Sequence, residues 1–515
     1  MTLKISLPTC SSIQIQETLR PALPVVFGCK DYRDQKQLIE RIDLVLKKSG
    51  IEQLFVRLSL EEHEAGSAGA TITEKDRAQV AKQCSKHAKR SEQVLRCNVL
   101  RSILGESFRG MSKRLAECPL FRQFCKLDEL EMVRVPSKST LQDYEKWLSQ
   151  EKMKRVLDAL TLALGDAEKA AEMELKEALA MEVAYVDTTC LKANIHFPVD
   201  WVLMRDAIRS LIKTITTIRR HDLKKRMPEP SSFIKEINSL CIAMGTTHRK
   251  SDGKKQKKKN LRLMKRLSNT VKGHAKRYRD ALDQEWEKTD WTRKQADMML
   301  RHLDNILDQL PEAIRQAHER IIGERQVRSE EKILSLYEKE IHVINRGKQG
   351  AQVEFGNTLL IAEEASGYIL AHELLEKQSP GDAKLLLKHC SNLQEVTKHR
   401  LSAIGGDRKF SSIATNKLLA KEKIYNALCP VDPRELSKRI KEEQRLKIML
   451  KRRAQSEGRI GILKNVFLQG TPKAKGYKNR AMQVSWAVLA HNLWIVARKA
   501  SWKEAELAPL VALAA

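Results

Sequence analysis

Aromatic residues are scarce in this sequence: Phe, Trp and Tyr make up 5% of its 515 residues. That shortage disfavours an all-β core and suits a helix-rich protein. Long apolar runs are also missing, for no stretch approaches the roughly 20 apolar residues that a membrane-spanning helix needs. The start, Met1-Thr2-Leu3-Lys4, lacks the charged segment and apolar core of a signal peptide. The tail from Pro509 to Ala515 is too short to anchor anything. The 10 cysteines, scattered from Cys10 to Cys429, include no CxxC pair. This argues against a disulfide frame or a zinc site and fits reduced thiols in a cytosolic protein. Acids are too few to balance the bases: 65 Asp and Glu face 94 Lys and Arg, leaving a net charge of +29. An excess of that size favours a polyanionic partner, nucleic acid before an anionic membrane surface. A soluble intracellular protein without membrane contact is the expectation.

The length is too great for one ordinary core, so several domains are expected. Residues 1–75 read as an N-terminal helical arm, with an amphipathic helix over Asp34 to Lys48 and a Gly/Ala/Ser linker from Ala65 to Ala70. Residues 76–177 read as a helical domain with breaks near Pro119 and Pro136. There Ser137 or Thr140 can cap a helix that Lys138 and Lys146 flank. Such a turn suits either a helix-turn-helix-like element on DNA or an ordinary capped helix in a bundle. From Met181 the texture changes. Val183-Ala-Tyr-Val-Asp-Thr-Thr-Cys190 has the β-branched content of a buried strand. Gln352 to Ala362 and Gly367 to Glu373 read as a hairpin. A helix (Asp382 to Leu393), a short strand (Leu401 to Ile404), another helix and a long basic helix from Pro433 follow. This order implies a mixed α/β sheet covered by helices.

About 150 residues expected to be helical separate the first strand from the hairpin, and they hold the densest basic segment. From Arg249 to Arg279 there are 14 Lys or Arg and one acid, Asp252. Lys254 to Lys259 reads as a solvated loop. The following helix carries Arg262, Lys265, Arg266, Lys272 and Lys276, a face open either to solvent or to phosphates. Trp201, Trp286 and Trp291 lie in or near this region, where core packing and stacking on an unpaired base are both open to them. Asp200 reads as the cap of a helix starting at Trp201. Glu354 reads as a sheet-orienting residue, and His196 and His491 as structural.

Three acids stand out by context. Asp187 sits inside an apolar strand, where an unpaired carboxylate costs several kcal/mol unless a cation meets it. Asp407 follows the short strand, and ligand sites cluster at the carboxyl ends of strands in such sheets. Glu457 lies on the long basic helix. At about 100° per residue, Arg453 and Lys464 both fall within roughly 60° of it on a continuous helix. A carboxylate between two cations on one stripe suits a site that binds metal while holding phosphate. A surface ion pair between Arg453 and Glu457 is the alternative.

These segments resemble bacterial insertion-sequence transposases of the DDE class, in particular the ISNCY group. The similarity lies at Val186 to Asp200 around the first aspartate, at Val353-Glu-Phe-Gly356, at Gly406 to Ser412 around the second, and at Glu457-Gly-Arg-Ile-Gly-Ile-Leu-Lys464, with a helix through Leu489 to Leu493 after it. Pro24 to Tyr32 and Pro136 to Tyr144 are similar too. The signature Tyr-x2-Arg-x3-Glu-x6-Lys maps onto Arg453, Glu457 and Lys464, with Leu450 where the tyrosine stands in the family. The resemblance implies a ribonuclease-H-like catalytic domain of residues 178–200 and 346–475. It would be interrupted by a basic helical insertion (201–345), preceded by a helical DNA-binding domain (76–177) and followed by a C-terminal helix and tail (476–515). It implies Asp187, Asp407 and Glu457 as catalytic metal ligands for two Mg2+ ions, with Mn2+ able to substitute. Arg453, Lys464, Arg262, Lys265, Arg266 and Lys138 would contact DNA. The implied partner is double-stranded DNA, both terminal inverted repeats and target, held by a homodimer or larger assembly at the bacterial nucleoid. A degenerate or repurposed transposase that binds DNA without cutting it is the alternative.

Overall fold

A computed structural model of the chain describes residue 23 and residues 26–66, 74–128, 133–247, 252–348 and 351–498. The terminal segments, and most of the Gly/Ala/Ser stretch from Ala65 to Ala70, lie outside them. The protein is α/β, with a mixed, open, six-stranded sheet among the described residues. Eight helices among the described residues precede the sheet: α1 (Lys30–Lys48), α2 (Ile51–Gly66), α3 (Glu74–Leu104), α4 (Phe108–Glu117), α5 (Pro119–Phe124), α6 (Lys138–Glu145), α7 (Gln150–Leu164) and α8 (Ala167–Glu172). The expected breaks fall where Pro119 starts α5 and where Ser137 caps α6 by accepting from the Thr140 amide.

Strand β1 (Val183–Lys192) is the central strand. Its β-branched and aromatic residues favour the pleated, half-buried backbone. It pairs antiparallel with β3 (Ala351–Glu363), so that Asp187 stands opposite Ile361. On its other side it runs parallel to β5 (Ala403–Gly406), which runs parallel to β6 (Tyr425–Leu428). The outer edge of the long β3 is shared by β2 (His342–Lys348) and β4 (Ile369–Leu374), both antiparallel to it. Alternation along β1 sends Val186 into the main core, while Tyr185 packs with Ala403, Leu446 and Met449 on the opposite face.

Among the described residues four helices lie between β1 and β2: α9 (Asp200–Arg220), α10 (Pro230–Thr246), α11 (Gly253–Glu285) and α12 (Arg293–Ile321). They enclose a hydrophobic core of their own, with Ile208, Leu211, Met264, Tyr278 and Leu303 at its centre. The three tryptophans Trp201, Trp286 and Trp291 pack on its margin. The expectation of about 150 helical residues here is corrected. The helices end at Ile321, and β2 follows, a strand whose polar residues Asn345, Arg346 and Lys348 conceal it in the sequence. Lys254 to Lys259 is helix rather than loop, because lysine is a good helix former and the segment leads into the buried Leu261 and Met264. Asp200 is not a cap either: α9 starts at that residue, and its buried carboxylate accepts from both Arg320 and Gln316 on α12.

After β4 come α13 (Asp382–Val396), α14 (Ile413–Lys421), α15 (Pro433–Glu442), α16 (Gln444–Arg453) and α17 (Ser456–Ile462), then α18 (Tyr477–Arg498). The single long basic helix expected from Pro433 is thus three. It breaks at Glu443, which takes an extended backbone while its carboxylate accepts from Arg439 and Tyr425, and again at Ala454 and Gln455. The short strand lies two residues later than expected, because Gly405 and Gly406 are the residues that fit beneath Tyr185 and between Val186 and Leu428. Helix α18 is buried along nearly its whole length. It joins the first eight helices to the sheet: Trp486 donates to the Glu145 carbonyl, and Asn492 makes a pair of hydrogen bonds with the backbone of Ile369.

Gly356 accounts for part of the Val353-Glu-Phe-Gly motif. A Cβ there would come 2.0 Å from the Leu191 carbonyl oxygen and 3.0 Å from Lys192 Cα, both backbone atoms. Gly356→Ala is expected to part β1 from β3 and cost at least about 2 kcal/mol of stability. Urea denaturation would register this as a lower midpoint, and an unchanged midpoint would mean that the strands are not so close.

Candidate active site

The carboxyl end of β5, the middle of β1 and helix α17 meet at one cleft of about 360 Å³. Asp187, Asp407 and Glu457, up to 270 residues apart in sequence, all line it, together with Arg453, Lys464, Thr188 and Thr189. Each is placed by a local device. Asp187 projects from the central strand and accepts from the Thr188 amide at 2.7 Å. Asp407 leaves the end of β5 and caps the short turn Arg408–Phe410, accepting from the Arg408 amide at 2.6 Å. Glu457 stands exposed in the first turn of α17.

The α16–α17 junction is fastened to the hairpin of β3 and β4. Arg452 donates to the Ala365 carbonyl and to the buried Glu363, which also accepts from Ser456 at 2.6 Å. The Arg452 guanidinium lies over the Tyr185 ring at 4.9 Å. Past α17, residues Leu463–Phe467 form a single π-helical turn, a distortion often met at functional sites. From that turn Lys464 donates to the Cys190 carbonyl at 2.7 Å and to the Thr189 hydroxyl at 3.3 Å. The face that joins Arg453, Glu457 and Lys464 therefore survives a break in the helix on which it was expected.

Burial raises the Asp187 pKa to about 6. The Thr188 amide and Arg453 oppose that rise, while Asp407 and Asp382 add to it. Arg453 stands 3.7 Å from Asp407, and its Nε–H is buried without an acceptor among the described residues. Asp382 is the site residue that sequence reasoning missed. It opens α13 just after Gly381, lines the cleft and accepts from the Thr188 hydroxyl at 3.0 Å. An acid in the first turn of a helix is so common that only the packing of α13 beside β1 reveals it.

The other expected DNA contacts do not reach the cleft. Lys138 is exposed at the start of α6, and Arg262 and Arg266 are exposed on α11. Lys265 is half-buried, 3.1 Å from His318. Glu354 pairs with Lys192, and His491 is buried with its pKa lowered to about 4 by desolvation. Lys257 lies 5.7 Å from the Trp201 ring centre, in a hollow it shares with Lys254 and Lys258.

Four carboxylates around one cleft are a hard-oxygen donor set of the kind Mg2+ prefers. Among the described residues no three His, Cys, Asp or Glu side chains stand close enough to share an ion, so the carboxylates would have to turn inward to do so. Chemically the set fits a divalent cation, and the desolvated Asp187 is the group that would gain most from one. Among the described residues no helix is long and apolar enough to cross a membrane. No family model, curated protein or solved structure matches the chain.

An acid whose pKa is raised on folding binds its proton more tightly in the folded state. The stability Asp187 contributes below about pH 4 is therefore lost as pH rises through 6, leaving a penalty of roughly 2–3 kcal/mol above it. In metal-free buffer, Asp187→Asn is expected to match the parent protein near pH 4 and to melt several degrees higher at pH 7. Millimolar Mg2+ at pH 7 is expected to raise the Tm of the parent and not that of Asp187→Asn. A parent Tm indifferent to Mg2+ would count against an ion site here.

Proposed function

We propose that the chain is a DDE-type DNA transposase, which binds the terminal inverted repeats of a mobile element and carries out Mg2+-dependent strand cleavage and strand transfer. The observation that carries this reading is the meeting of Asp187, Asp407 and Glu457 in one cleft beside Arg453 and Lys464. The order of elements supports the ribonuclease-H-like arrangement that the resemblance implies: strand, helical segment, three antiparallel strands, helix, strand, helix, strand. On this reading α9 to α12 are the helical insertion. The net charge of +29 suits a protein that holds several phosphates at once.

Within the cleft the residues divide the work. Asp187, Asp407 and Glu457 would hold Mg2+, and Asp382 would fix the Thr188 side chain beside them. Bound there, Mg2+ would supply Lewis-acid stabilisation of charge on phosphate oxygens and lower the pKa of a water or DNA 3′-hydroxyl. Arg453, with an unused Nε–H donor, is suited to take a phosphate oxygen. Lys464, braced on the Cys190 carbonyl, adds a second positive charge to the cleft.

The test is cleavage of DNA from the ends of the element, the sequence flanking the coding region, with Mg2+ present. Asp187→Asn, Asp407→Asn and Glu457→Gln are each expected to lose at least about 100-fold in cutting while still binding the DNA, a loss beyond what removal of a supporting residue costs. Variants that cut as well as the parent would sink the catalytic assignment. A parent protein that binds and never nicks would leave the non-catalytic DNA-binding reading.

A further inference from the structure

A second concavity of about 1160 Å³ lies where α9, the loop after β1 and residues 473–475 come together. Thr189 lines the cleft and Asn194 lines this groove, so at most about 18 Å of chain separates the two. One face of α9 turns toward the groove, carrying Arg205, Arg209, Lys213 and Arg220. Lys473 and Lys475 line it from the segment before α18.

Two acids reach the groove, and both already have partners. Asp206 pairs with Arg205 at 2.9 Å, and Glu338 is held by the buried Arg480 and the Gly476 amide. Arg209, Lys213, Arg220, Lys473 and Lys475 thus face the groove with no acid partner among the described residues. Like charges gathered in a concave site raise the potential there and call for an anion.

Charge alone would fit an ordinary solvated face. The aromatic residues do not. Phe197 is 74% exposed and Tyr337 52%, although such rings are usually buried. Both are braced: Phe197 stands edge-on to Phe355 at 5.4 Å, and Tyr337 lies parallel to His302 at 6.4 Å. Cations interleaved with braced, open rings are the pattern of a surface that takes an unpaired strand, the backbone on the cations and bases on the rings. A duplex keeps its base faces stacked inside and would leave both rings idle.

We propose that this groove binds a single strand of DNA, with phosphates on Arg209, Lys213 and Lys473 and bases stacked on Phe197 and Tyr337. From the proposed function the inference takes only the nucleic-acid partner, and it does not need the carboxylates or a metal. It places an unpaired DNA segment next to the cleft rather than inside it.

The experiment measures fluorescence anisotropy of a labelled oligonucleotide of about 15 nucleotides, and of the matching duplex, with the full chain in EDTA. The single strand is expected to bind more tightly than the duplex. Phe197→Ala and Tyr337→Ala are each expected to weaken single-strand binding by roughly 5- to 100-fold and to leave duplex binding within about twofold. Phe197→Tyr and Tyr337→Phe, which keep a ring, are expected to retain binding. That result separates lost stacking from damage to the fold. Replacing Arg209, Lys213 and Lys473 together by Gln should flatten the salt dependence by about 2 in slope. Absence of single-strand binding, or binding that both alanine variants keep, overturns the proposal. Asp187→Asn protein should bind the strand like the parent. Intact cutting without strand binding therefore removes only the groove, and intact strand binding without cutting removes only the catalytic reading.

Discussion

A carboxylate in the middle of the central strand is the constraint around which the structure is arranged. Asp187 pairs with β3, stands one residue past the last pairing with β5, and is desolvated until its pKa nears 6. A group so placed needs compensation, because a charge taken out of water is costly until something of opposite sign meets it. Arg453 provides part of it from the end of α16. The residues that hold Arg453 in reach belong to a separate network, in which Glu363 collects Arg452 and Ser456 across the α16–α17 junction. An ion pair at the end of β3 thus helps to place the charge that faces Asp187.

The arrangement separates two kinds of precision. The sheet side of the cleft rests on close contacts at glycine, against backbone at Gly356 and against packed side chains at Gly405 and Gly406. The helical side rests on long side chains and on an exposed Glu457. A rigid wall facing an adjustable one suits a site whose ligands must change position as substrate enters and leaves.

Much of this was legible in the sequence, and the reasons differ by residue. Asp187 was visible because a carboxylate inside an apolar β-branched run is physically odd. Asp407, at a strand exit, rested mostly on the resemblance, and the spacing of Glu457 from Arg453 and Lys464 left a surface ion pair equally open until the resemblance was added. What escaped was set by distant packing. β2 and β6 are short or polar strands that exist because β3 and β5 offer them an edge. The break at Glu443 arises because Tyr425 and Arg439 draw its carboxylate away, against a run of good helix formers. The role of Asp200 depended on Arg320, 120 residues later.

Helix α18 carries a further consequence. It fills the space between α3, α7 and β4, and its Trp486 and Asn492 are bonded to partners 341 and 123 residues earlier. During synthesis those apolar surfaces have nothing to cover them until the last described helix has left the ribosome. Completion of the main core therefore waits for α18, while α9 to α12, with a core of their own, have all they need to fold beforehand. A message that ends early would yield a chain with its helical segment formed and its cleft never assembled.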